Sequence, residues 1–255
     1  MNSHKSSSEL KAQARGQLLG HYGTVIWALM TAQLLQLLVT DVVASLIDTS
    51  STLGTVFYYA VSILTAILLG LFSVGEAYLF LKLACGQMIS VSDIFYGFRK
   101  QADKSLIVLT VITLLTSLCT APYTYFQHKL ITVNFSSSLS IQYDWHFEYF
   151  LPFCIACTVG FIALVIVNLL FSQVFYLLLD FPDYSAKDLM LYSIRLMKGN
   201  MGRLFYIEVS FIPLFLLGVL SLGIGLLWIT PYLNATLANF FLDLMEQNRK
   251  VESRI

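Results

Sequence analysis

Charge is scarce in this chain. Only 12% of its 255 residues are Asp, Glu, Lys or Arg, 57% are apolar, and the mean hydropathy is +0.75. A soluble domain carries about 25% charged residues, so this stock does not cover a water-facing surface. Proline is also scarce, at five residues, which leaves long stretches free to be helical. The four cysteines, Cys85, Cys119, Cys154 and Cys157, lie in or beside apolar runs. Cys154 and Cys157 share a helix face, but no second pair with ligand spacing completes a metal site, so all four are expected to be small packing residues. There is no His-Glu-x-x-His helix, no Gly-x-Ser-x-Gly elbow, no phosphate loop and no Rossmann glycine pattern. These absences argue against an enzyme, a bound cofactor, a metal centre and a nucleic-acid partner.

What is present is apolar length. A bilayer core about 30 Å thick is crossed by roughly 20 helical residues. Six segments meet that need: 24–47, 53–83, 105–126, 149–179, 204–221 and 223–242. The third is expected to close at Pro122, and the fifth contains Glu208 and Pro213. Between the last two lie only Leu222 and a Gly223-Ile224-Gly225 turn, so one kinked helix followed by an interfacial one is the alternative there.

The net charge of zero hides a sorting. On the six-span reading, all of the 15 Lys and Arg residues except Lys129 fall on one side. Positive charge is retained on the cytoplasmic side during insertion. Both termini are therefore expected in the cytoplasm, with the chain in the cytoplasmic membrane. The polar start and the long apolar run behind it do not resemble a cleavable leader.

Each odd span follows a short amphipathic stretch. The first sets Leu10, Ala14, Leu18 and Tyr22 at intervals of four. The second groups Phe95, Phe98 and Ala102, with Ser92 as its expected N-cap. The third sets Leu189, Tyr192 and Leu196 against Asp188, Arg195 and Lys198. Such helices are expected in the membrane interface, apolar stripe toward lipid and basic residues toward anionic headgroups. Leu19-Gly20-His21-Tyr22-Gly23 parallels Lys198-Gly199-Asn200-Met201-Gly202. The glycine pairs Gly20 with Gly23 and Gly199 with Gly202 suit a chain turning from flat to upright. The expected fold is an all-α membrane protein with six transmembrane helices in three hairpins, each preceded by a cytoplasmic amphipathic helix. It is one membrane domain over 1–255, with repeat units at about 9–85, 90–181 and 185–246 and tails at 1–8 and 247–255.

Leu10-Lys11-Ala12, Ala14-Arg15 and Gly20-His21-Tyr22-Gly23 resemble the N-terminal signature of a bacterial integral membrane protein family catalogued as domain of unknown function 975. The C-terminal run resembles it more closely. It comprises Lys198-Gly199-Asn200-Met201-Gly202-Arg203-Leu204-Phe205, Leu222-Gly223-Ile224-Gly225-Leu226-Leu227-Trp228, Pro231-Tyr232-Leu233 and Ala235-Thr236-Leu237-Ala238. His21 stands where that family usually has Asn. The resemblance implies a multispan membrane fold and brings no catalytic or binding residue with it. In layout alone, the chain is also similar to the membrane-embedded part of some glycerophosphodiester phosphodiesterases.

Carboxylates inside spans are expensive and usually face a bundle interior or cavity. Glu76 and Glu208 both fall in the cytoplasmic half of their spans, with Gln173 and Asn234 near that level and Arg203 close by in sequence. These five residues form either an inward-opening polar cavity or an ion-pair layer in which Arg203, Lys198 or Arg99 neutralises the carboxylates. The ion-pair layer is the expected arrangement. Gln33, Gln36 and Asp41 mark the first span, and interhelical hydrogen bonds are expected there. The functional expectation is a non-enzymatic multispan protein acting through membrane lipids or a protein partner, a second copy included. The alternative is a carrier for a small solute or lipid using a cavity around Glu76 and Glu208.

Overall fold

The computed structural model describes residues 4–48, 51–100, 102–135 and 141–252. It is built almost wholly of helices. Five of them, some in two pieces, are long and apolar enough to cross a bilayer: Tyr22–Leu46, Leu53–Ala84, Ala102–Leu130, Phe147–Asp180 and Met201–Leu220. Their flanks expose large apolar side chains, among them Leu37, Leu38, Val159 and Phe161. Water-facing surface of that kind is unfavourable at about 25 cal/mol per Å², and lipid removes the penalty. The chain is a multi-pass membrane protein.

The sixth expected span is a helix too polar for that class. Helix α12 (Leu226–Glu252) carries Asn234, Asn239 and Asp243 within its length. It is also a central packing element, and Ala235, Ala238, Phe240, Phe241 and Leu244 on it are buried.

Helix α1 (Ser7–Leu18) starts at a capping box. Ser6 Oγ accepts from the Glu9 amide, and the Glu9 carboxylate accepts from the Ser6 amide. Its stripe of Leu10, Ala14 and Leu18 is fully buried, and the helix packs against α12. The stripe thus faces protein rather than lipid, contrary to expectation. The same holds for α9 (Ala186–Met197), capped by Ser185, whose Leu189, Leu196 and Met197 are buried.

Between α1 and α2 (Tyr22–Leu46) the chain turns at Gly20, φ 84°. Between α9 and α10 (Met201–Val209) it turns at Gly199, φ 93°. The flanking residues match too: Leu19 (−61°, 123°) with Lys198 (−63°, 111°), and His21 (−114°, −6°) with Asn200 (−109°, −6°). Two distant segments therefore follow one backbone path. Gly23 and Gly202 lie inside helices with nothing near an added Cβ, so only the first glycine of each pair makes the turn. Gly20→Ala and Gly199→Ala are expected to destabilise by about 1–2 kcal/mol each, the cost of a left-handed L-residue. Gly23→Ala and Gly202→Ala should be neutral or stabilising. Thermal melting in detergent distinguishes the two pairs.

The middle unit is different. A 3-10 turn, Val91–Phe95, is capped by Ser90, not Ser92, because Asp93 closes a capping box back to the Ser90 amide. It runs into the single-turn α5 (Tyr96–Arg99) and then α6 (Ala102–Leu130). Pro122 does not close the third span, since α6 continues through it. Beyond α6 the chain is not wholly helical. Strands β1 (Ile131–Phe135) and β2 (Ile141–Trp145) pair antiparallel, Ile131 opposite Trp145 and Phe135 opposite Ile141.

Three spans are broken. The second divides at Gly70 into α3 (Thr52–Leu69) and α4 (Leu71–Ala84), and the fourth at Ser172–Gln173 into α7 (Phe150–Phe171) and α8 (Val174–Asp180). The fifth divides at Ser210–Phe211 into α10 and α11 (Ile212–Leu220), where Pro213 supplies no amide for the preceding turn. Segment 91–97 lies tightly on α4. A Cβ on Gly75 would stand 1.8 Å from the Ile94 carbonyl oxygen, and one on Gly97 2.3 Å from that of Leu71.

Candidate functional site

Helix α12 runs antiparallel to α10 and α11. Gly218 meets Leu226, Phe211 meets Tyr232 with ring centroids 4.9 Å apart, and Arg203 meets Asp243. That order brings the C-terminal half of α12 back beside α1, so the two ends of the chain share one side of the molecule. The buried core, including Leu10, Leu79, Leu177, Met197 and Phe240, gathers at this end.

A polar layer is built here. Arg203 Nη2 donates to Asp243 Oδ2 at 2.8 Å and to the Lys5 carbonyl at 3.0 Å, while Nη1 donates to His4 Nδ1 at 2.8 Å. Gln247 donates to the same Asp243 oxygen at 3.0 Å. The Asp243 side chain is only 4% exposed. Its charge is therefore matched by a guanidinium and held by further donors, as burial requires. One turn away, Gln17 and Asn239 exchange amide hydrogen bonds of 3.1 and 2.7 Å, and Gln17 also reaches the Ala84 carbonyl. Lys11 donates to Ser210 Oγ at 2.7 Å and lies over the Phe211 ring. Burial and the neighbouring Arg15 hold its pKa below the ordinary lysine value. Lys82 pairs with Asp93 at 2.8 Å and ties α4 to the 3-10 turn.

This layer overturns the expected ion pairing. Arg203 serves Asp243, not Glu208 or Glu76. Five residues on a helix place Arg203 and Glu208 about 140° apart, whereas antiparallel α12 presents Asp243 directly. Among the described residues, neither Glu76 nor Glu208 has an ion pair. Sequence reasoning missed Asp243, Asn239 and Gln17. The available signal was a lone carboxylate in Phe240-Phe241-Leu242-Asp243-Leu244-Met245 with an amide four residues before it.

Glu76 stands apart. It lines a cavity of about 370 Å³ between α2, α4 and α12, walled by Ile26, Leu29, Met30, Leu226, Leu227 and Pro231, with Gln33 and Thr230 as its other polar residues. Gln33 and Gln36 form no interhelical hydrogen bond among the described residues, so that expectation is corrected. Gln33 instead lines the cavity. The other expected members of the site are not in it. Glu208 and Asn234 are half-buried and do not line this cavity. Gln173 is buried at the α7–α8 break. Its Nε2 donates to Ser172 Oγ, and its Oε1 has no hydrogen-bond partner among the described residues.

A second cavity, about 740 Å³ and open, lies where α8, α9 and the end of α12 meet. Asp180, Asp188, Arg195 and Arg249 line it, with Tyr184 and Tyr192. No group of three His, Cys, Asp or Glu side chains that could hold a metal occurs among the described residues.

No curated protein and no solved structure matches this chain. A family model described as protein of unknown function, DUF975, matches residues 1–248, and the chain belongs to that family.

Proposed function

We propose that this chain is a non-enzymatic protein of the bacterial cytoplasmic membrane that acts through a lipid-like partner, which it takes from the bilayer into the groove around Glu76. One observation carries the reading. Buried Asp243 is matched with a cation, whereas Glu76 lines a largely apolar cavity at membrane depth without an ion pair among the described residues. Intramembrane carboxylates left so are functional-site candidates. An apolar cavity with a few convergent polar groups is the usual form of a small-molecule site.

The proposal includes a six-span topology with both ends cytoplasmic and three repeat units, the basic residues facing anionic headgroups. Helix α12, 27 residues long, reaches about 40 Å at 1.5 Å per residue. It serves as the last crossing, with its polar residues turned to the bundle. A second reading, docking of a protein partner on the cytoplasmic side, is favoured by the open 740 Å³ cavity with its mixed charges.

The groove reading is tested by filling it. Native mass spectrometry of protein purified in gentle detergent should show a retained lipid-sized adduct. Met30→Trp should reduce that adduct at least fivefold while leaving the melting temperature within about 3 °C. An adduct retained equally by both proteins would place the lipid elsewhere and shift weight to the protein-partner reading.

A further inference from the structure

We infer that the occupant of the Glu76 groove is an amphiphile with a positively charged amine head, its chain lying against Leu29, Met30, Leu226 and Leu227. The inference rests on the groove reading above and adds the class of ligand. Its basis is the chemistry of the lining. Glu76 is the one charged side chain among the nine lining residues, and Gln33 and Thr230 are the two neutral polar ones. The remaining six are apolar. No Lys, Arg or His is among those nine, and three bases of this end are engaged elsewhere: Arg203 with Asp243, Lys82 with Asp93, and Lys11 with Ser210 and the Phe211 ring.

A carboxyl group in a low-dielectric site either takes up a proton or is matched by a counter-charge. An ammonium head supplies it, and its N–H groups donate to the carboxylate and to the Gln33 and Thr230 oxygens. An anionic head would stand against Glu76 with no cation in the lining to offset it. A neutral head would leave the carboxyl to take up a proton and would gain no charge-assisted hydrogen bond from it. The apolar wall accounts for the chain, because each methylene removed from water adds to affinity. Specificity is thus set by repulsion as well as attraction.

The test uses three probes of equal chain length: dodecylamine, dodecanol and dodecanoate. Each is added below its micellar concentration to the full chain in phosphatidylcholine nanodiscs, and the shift in melting temperature is read. A ligand that binds only the folded state raises this temperature with its concentration. Wild type, Glu76→Gln and Met30→Trp are compared, the last correcting for nonspecific effects of amphiphiles on the bilayer. Dodecylamine is expected to give its half-maximal shift at a concentration at least tenfold below that of dodecanol, with dodecanoate giving none. In Glu76→Gln the preference for the amine should fall to within twofold while the dodecanol response persists. Equal responses to all three probes in wild type, each lost in Met30→Trp, would overturn the amine assignment and leave the groove standing. Responses identical in wild type and Met30→Trp would remove the groove itself.

Discussion

Asp243→Asn is expected to be among the most damaging single changes in this protein. It leaves the Arg203 guanidinium, which also holds His4, beside a neutral amide and weakens the bonds that gather Lys5 and Gln247 around one carboxylate. Breaking a buried pair by removing one partner costs roughly 3–5 kcal/mol. The Arg203 side chain is 26% exposed, so water offsets part of the loss and about 3 kcal/mol is expected. Arg203→Gln alone should cost as much or more, because it strands the more deeply buried partner. The double variant should recover at least 1 kcal/mol relative to the sum of the two, the signature of a coupled pair. Glu208→Gln, by contrast, should leave stability nearly unchanged. Melting temperatures of the four proteins decide it. Additive losses at positions 203 and 243 would mean that the pair is not coupled.

Gly75→Ala should be comparably severe. The added carbon would stand 1.8 Å from the Ile94 oxygen, 2.5 Å from its carbonyl carbon and 2.9 Å from its Cα, all backbone atoms with no rotamer to relieve them. Segment 91–97 must lift from α4 or the helix must shift. Overpacking of a rigid site costs roughly 1–3 kcal/mol, and the upper end is expected here. The consequence reaches the Lys82–Asp93 pair, whose partners lie on the two elements forced apart. Gly16→Ala is the control. Gly16 sits within α1 with nothing within 4 Å of an added Cβ, so its replacement should stabilise by up to about 1 kcal/mol. Limited proteolysis near residue 90 should accelerate in Gly75→Ala and not in Gly16→Ala.

These two sites show where the amino-acid sequence is legible and where it is not. The stripe of Leu10, Ala14 and Leu18 follows from helical periodicity alone, and all three are buried. What buries them does not follow, because an apolar stripe beside basic residues suits lipid and protein equally. Gly20 and Gly199 are legible because each sits between two helical patterns, and both take positive φ. Gly75 lies inside an apolar helix, and its need to be glycine arises only from Ile94 on another segment. Asp243 escaped for a similar reason. Its partner is 40 residues away, and charge proximity in sequence pointed to Glu208 instead. The depth of Glu76 was readable from its place in the second span. Its lack of an ion pair among the described residues depends on which side chains line its cavity, none of them basic, and only the three-dimensional arrangement reveals that.

The central claim is that Glu76 holds a ligand and does not hold the fold. Glu76→Gln keeps the shape of the side chain and removes its charge. The decisive measurement takes one preparation of this variant and reads both its melting temperature and its retained lipid adduct against wild type. The account predicts a melting temperature within about 2 °C of wild type and loss of most of the adduct. A fall comparable to that of Asp243→Asn, with the adduct intact, would contradict it and make Glu76 a structural residue.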